Sequence, residues 1–203
     1  MSYQIHVVSL KTLCKDGQEQ LSAAGGAFCI NIVEKMQVTG IFGLTKTVSG
    51  KEVVDSFEEI YHSKFSFGNN IVIAQEMIDH FGQDLANAVI AHEEGHLLGG
   101  REVGTDTIEE EYAADTHAAK KCGPEKMIAA LEQVRDGKWV HILCRYNNIP
   151  ESYFQTELDK VMKLRVDHLK KTFNLGTNWG KIAFWGTIAA AVLLGGTYAI
   201  CKK

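Results

Sequence analysis

Two histidines four residues apart, with a glutamate directly after the first, stand at His92-Glu93-Glu94-Gly95-His96. Four residues is slightly more than one helical turn, so on an α-helix both imidazoles leave the same face. Two neutral imidazoles at that spacing bind one Zn2+, and the adjacent Glu93 can reach a water on the metal. Zinc lowers the pKa of such a water to about 7, and a carboxylate takes its proton as the hydroxide attacks a carbonyl. The expected chemistry is hydrolysis with one zinc per chain, His92 and His96 as ligands and Glu93 as general base.

A catalytic zinc keeps three protein ligands and one open position. The stretch IEEEYAADTHAAKKC, 108–122, reads as a helix 15 residues after His96 at its third glutamate. Its stripe runs through Ile108, Glu111 or Tyr112, Asp115, Ala118 or Ala119, and Cys122, while Glu109 and Glu110 turn away. A carboxylate on a buried stripe needs compensation, which a cation supplies. Glu111 is therefore the expected third ligand. Asp115, one turn on, is placed to accept the free N–H of a ligating histidine from outside the ligand set. Ala113, Ala114, Ala118 and Ala119 are small enough to let two helices approach closely. An isolated HExxH also occurs on ordinary charged helices; the strand, apolar run, glycine stop and acidic helix around this one favour a site.

These residues must be held by a scaffold. Residues 3–10 read as a strand, and 27–36 fit either strand or helix. The spaced glycines after Val38 suggest a hairpin or a loop. Residues 50–63 carry Val54, Phe57, Ile60 and Tyr61 at helical spacing. Residues 64–74 form two short strands or one bent one, with an edge strand among them expected to pair with a substrate backbone. From Gln75 the chain is almost wholly helical. Asp84 to Leu98 is one helix, with Leu85, Val89, His92 and His96 in one stripe and Gly99 as its stop. Helices follow over 108–122, 124–135 with Pro124 in the first turn, about 138–148, and 151–172 with Phe154, Leu158, Val161, Leu164 and Leu169 turned inward.

A net charge of −4 over 203 residues, with no concentrated basic patch, argues against a nucleic-acid surface. Five cysteines, scattered and without a CxxC pair, suggest reduced thiols rather than a disulfide framework or zinc ribbon. The first residues lack the basic and apolar regions of a secretory signal. From Ile182 to Ile200, 19 residues pass without a charge, close to the ~20 that cross a bilayer, with Trp179, Trp185 and Tyr198 near the ends. The expectation is a domain over 1–176 and a single C-terminal transmembrane anchor over 182–200. The catalytic domain would face the cytoplasm, with Lys163, Lys170 and Lys171 near lipid headgroups. The weaker alternative for 182–200 is a buried helix of a soluble domain.

Asn69 to Ala119, NNIVIAQEMIDHFGQDLANAVIAHEEGHLLGG followed by EEEYAADTHAA, resembles the catalytic core of gluzincin metallopeptidases of the HtpX and CAAX prenyl endopeptidase type. The resemblance implies a zincin-like metallopeptidase domain of α+β class, with a small mixed sheet packed on the active-site helix and a helical second half. By position, His92, His96 and Glu111 match the family's zinc ligands, Glu93 its base and Asp115 its supporting acid. Two features depart from the family. Its members usually carry several membrane spans around the core, and their downstream His-Pro element is not evident here. Arg165 is a possible transition-state stabiliser by analogy, with His141, Arg145, Tyr146 and Tyr153 as weaker candidates. His117 lies off the Glu111 stripe and reads as solvated, and His6, His62, His80 and His168 have no evident partners.

The expected function is a membrane-anchored zinc-dependent endopeptidase acting on a protein or peptide substrate, with membrane lipid as its other partner. Three alternatives stand beside it. One is a membrane-tethered interaction protein with a structural zinc, against which the intact Glu93 argues. The second is an ImmA-like regulatory metallopeptidase, a family with a similar motif pair. The third is a DNA-associated metallopeptidase, whose basic surface and cysteine module are missing.

Overall fold

The computed structural model describes residues 2–13, 26–39, 45–99, 107–147 and 151–175. The chain divides into two units, Met1–Leu169 and Lys170–Lys203. In the second, the described residues complete a helix, after which the Leu175 N–H donates to the Lys170 carbonyl at 2.8 Å. The expected span over 182–200 lies outside the described residues. Among the described residues no helix is long and apolar enough to cross a membrane.

The first unit is of α+β class. Its strands are β1 (Gln4–Val8), β2 (Ala27–Ile32), β3 (Lys35–Thr39), β4 (Thr45–Ser49) and β5 (Gly68–Ala74). β5 lies at the centre of a three-stranded mixed sheet. β1 runs parallel to it with Gln4 beside Asn70, and β2 antiparallel with Ala27 opposite Ile73. A strand covered on both faces cannot alternate polar and apolar residues, which accounts for the unbroken Ile71-Val72-Ile73-Ala74, all 0 % exposed. The stretch after Phe67 is thus one strand, and the expectation that it offers a free edge is wrong. Both its hydrogen-bonding edges are taken by β1 and β2, so among the described residues the sheet's edges are β1 and β2. β3 and β4 pair antiparallel, with Lys35 opposite Ser49 and Thr39 opposite Thr45, while residues 40–44, where the spaced glycines lie, are outside the described residues.

Among the described residues there are eight helices: α1 (Leu10–Leu13), which no sequence signal announced, α2 (Gly50–Tyr61), α3 (Gln75–Phe81), α4 (Gln83–Leu98), α5 (Ile108–Cys122), α6 (Pro124–Val134), α7 (Gly137–Asn147) and α8 (Glu151–Thr172). Ser49 and Glu52 cap α2 reciprocally, and Thr107 and Glu110 do the same for α5. Each box satisfies two backbone N–H groups that the first turn leaves open. Pro124 opens α6, where its missing N–H costs nothing. Gly82, at φ 76°, joins α3 to α4 without an intervening loop, a backbone state that a β-carbon disfavours.

Phe57 and Tyr61 of α2 gather with Phe28 of β2 and Phe65 into an aromatic cluster, Phe57 meeting Phe65 edge-on at 5.2 Å. Trp139 of α7, 0 % exposed, packs on His80 and Phe81 of α3. His80 therefore has packing partners that its sequence context did not suggest. α4 is the central helix and packs against β2, β5, α3, α5 and α6. It is buried continuously from Ala88 to Glu94, so the single stripe expected for it was too narrow. Helices on more than one side need apolar or paired residues all round.

Candidate metal centre

His92 and His96 occupy the second half of α4, and Glu111 the first turn of α5. The capping box sets where α5 begins and so where Glu111 stands. A carboxylate in a first turn also gains from the helix dipole. The ligand atoms of His92, His96 and Glu111 lie within 4.8 Å of one another. His92 Nε2 and His96 Nε2 are 3.0 Å apart, and the Glu111 carboxylate is 3.4 Å from the first and 3.2 Å from the second. A tetrahedral ion with bonds of ~2.0–2.2 Å holds its ligands ~3.3–3.6 Å apart. The three donors therefore fit a single cation with little movement.

Asp115, 0 % exposed, lies 2.8 Å from His92 Nδ1. At that distance Nδ1–H donates to the carboxylate and the Nε2 lone pair is left for a metal. Glu93 is buried at 6 % exposure, beside the ligands but outside their group. Arg165 of α8 enters from the other side at 7 % exposure. Its Nε and Nη2 donate to both oxygens of Asp115 at 2.8 and 2.6 Å, and its Nη1 pairs with Glu111 at 2.8 Å. Three of its five N–H groups are thus committed to carboxylates, which is the place of an orienting group. Of the other expected stabilisers, His141 is exposed and paired with Glu151 at 2.5 Å, and Arg145 is exposed. The side chains of Tyr146 and Tyr153 lie outside the described residues.

No family model, curated protein or solved structure matches this chain. The centre rests on its own chemistry. With neutral imidazoles, Glu93, Glu111 and Asp115 against Arg165 carry a formal charge of −3 + 1 = −2 in a buried space. That is the charge a divalent cation neutralises, and an unneutralised buried pair of charges is costly.

Without a metal, a proton takes part of that role. Burial and the Arg165 guanidinium push the His92 pKa down, but hydrogen bonds to Asp115 and Glu111 outweigh them and raise it to about 9. Glu111 is opposed by burial yet held far below the usual carboxylate range by His92, His96 and Arg165. Asp115 is also lowered, burial again being outweighed by Arg165 and His92. A metal must displace the His92 proton wherever the pH lies below about 9. Metal affinity should therefore rise with pH across neutrality and level off above that value, with about one proton released per ion. Calorimetric titration in buffers of different ionisation enthalpy counts the protons, and an affinity flat between about pH 6 and 8 would contradict the linkage.

The approach of α4 to α5 depends on Gly95. A β-carbon there would stand 2.7 Å from the Ala114 Cα and 3.1 Å from its carbonyl oxygen. Backbone atoms cannot yield as a flexible side chain does, so Gly95→Ala should force the helices apart. The expected cost is ~1–3 kcal/mol of stability, with weaker metal binding because the histidines and Glu111 are on the two helices that this contact holds together. Denaturant melts and metal titration check both effects.

Several side chains have partners that sequence reasoning did not find. His117, expected to be solvated, lies 3.3 Å from Glu94, which also pairs with Lys121. His6 is 4 % exposed and bonded to Ser63 and Asn70 at 2.9 and 3.0 Å, flat against Phe65. His168 stacks on Tyr112 at 4.1 Å and so helps seat α8 on α5. The fully buried Asn70 ahead of an apolar run was the one available signal for the His6 network.

Proposed function

We propose that this chain is a zinc-dependent endopeptidase, one that resembles the HtpX and CAAX prenyl endopeptidase gluzincins over Asn69–Ala119 and is held at a membrane by residues 182–200. The observation that carries this reading is the convergence of His92, His96 and Glu111, with Glu93 buried beside them but outside the ligand group. A structural site has no use for that additional carboxylate. Zinc bound here would polarise the scissile carbonyl and acidify a water. Glu93 takes the proton of the attacking water and returns it to the leaving amine. Asp115 keeps His92 in the tautomer that offers Nε2. Arg165 acts here as a positioning residue for Glu111 and Asp115. Substrate backbone pairs with β2, the edge strand packed against α4.

Metal content tests the assignment. Glu111→Ala should lose most of the zinc, whereas Glu110→Ala, which removes only a cap contact to the Thr107 N–H, should keep it at a cost of ~0.5–2 kcal/mol in stability. Zinc retained by Glu111→Ala, or lost from Glu110→Ala, would show that a different face of α5 meets α4.

A further inference from the structure

We propose that Glu94, the second glutamate of the motif, is a positioning residue that sets the roll of α4 against α5 and thereby the spacing of the metal ligands. The inference rests on the metal centre described above and extends it to a residue on the opposite side of the helix. Glu94 is two residues from each histidine, so it leaves α4 about 200° away from them. Its carboxylate is nevertheless buried, at 9 % exposure, and is held by two residues of α5, His117 at 3.3 Å and Lys121.

The two helices are thus tied on both sides of one close contact. Gly95 lies against Ala114 without a side chain between them. On one side His92 meets Asp115 and Glu111; on the other Glu94 meets His117 and Lys121. A contact to which α4 brings no β-carbon is a pivot, and ties on one side only would leave the helix free to roll about it. A side-chain atom ~6 Å from the helix axis moves ~1.5 Å in a roll of ~15°. Metal–ligand distances tolerate only about ±0.2 Å. The Glu94 tie therefore matters far more to the ligands than its own energy suggests. Its partner Lys121 is 46 % exposed, and pairs of that kind contribute only about 0–1 kcal/mol to stability.

The test is competitive zinc titration of the full chain against a chromophoric chelator, with thermal melting of the metal-free form alongside. Glu94→Gln and Lys121→Met should each weaken zinc binding by about 10–100-fold, while the metal-free melting temperature changes little. Lys121→Arg, which restores the charge, should bind zinc as the wild type does. Unchanged affinity in both Glu94→Gln and Lys121→Met overturns the proposal. So does an affinity loss that appears only with a matching fall in melting temperature, or one that Lys121→Arg shares in full. A wild-type chain that takes up no zinc overturns the metal centre itself and the proposal with it, which separates the two failures.

Discussion

Glu93→Gln is expected to retain its zinc and to lose peptide hydrolysis by at least ~10²–10⁴-fold. The substitution keeps the size and hydrogen-bonding shape of the side chain and removes only its capacity to take a proton. Glu93 stands outside the ligand group, so the metal site keeps all three donors. Its negative charge is also felt by the Arg165 guanidinium, and its loss reduces the buried charge rather than exposing a new one. The fold should therefore survive. Zinc content by emission spectroscopy and turnover of a quenched fluorescent peptide library measure the two halves of the result. Cleavage undiminished in Glu93→Gln would remove the carboxylate from the mechanism, and zinc lost with the activity would make it a ligand instead.

Arg165→Leu should destabilise the metal-free domain by ~3–5 kcal/mol, the usual outcome when one partner of a buried ion pair is removed. The guanidinium has three short contacts to two carboxylates, of which Asp115 is 0 % exposed. A leucine leaves Asp115 buried and both carboxylates with only the histidines beside them for compensation. Asp115→Asn in the same chain should restore part of the loss, because the two positions share one interaction and do not add. Zinc should narrow the gap, since it neutralises the same carboxylates.

The sign with pH follows from the lowered Asp115 and Glu111 values. Their stabilisation is present above the unfolded carboxylate pKa of about 4 and is lost as pH falls through the lower folded values. The difference between wild type and Arg165→Leu should accordingly shrink in acid. Denaturant melts with and without a chelator, at neutral pH and near pH 3, measure each arm. A neutral-pH difference below about 1 kcal/mol would mean the arginine is exposed to water in solution.

Local chemistry was legible in the sequence where it depends on neighbours along one helix. The spacing of His92 and His96, the stripe through Glu111 and Asp115, and the stops at Leu98 and Cys122 all follow from a 3.6-residue repeat and end signals. α8 shows where that repeat misleads. Counting apolar residues turned Val161 and Leu164 inward, yet these are 36 % and 47 % exposed, while Met162, Arg165, Val166 and Leu169 are buried. The buried face includes a cation because its partners are carboxylates on another helix, and a hydropathy count cannot see them. β5 misled for a related reason. Whether a strand is an edge or a centre depends on which distant segments reach it, and here Gln4 pairs with Asn70 and Ile32 with Gly68. His6 and His117 were read as unpartnered because Asn70, Ser63 and Glu94 are distant in sequence.

The parallel pairing of β1 with β5 also bears on the order in which the molecule is made. His6 and Asn70 are 64 residues apart and Arg165 and Asp115 50 apart, while Glu94 and His117 are separated by 23. Closing longer loops costs more chain entropy, and topologies rich in distant pairings fold more slowly. By that measure α4 and α5 would close their ligand cage before either Arg165 reaches Asp115 or His6 reaches Asn70. In that interval Glu111 and Asp115 have no guanidinium to neutralise them, so a metal captured early would act as a folding nucleus as well as a resident of the finished domain.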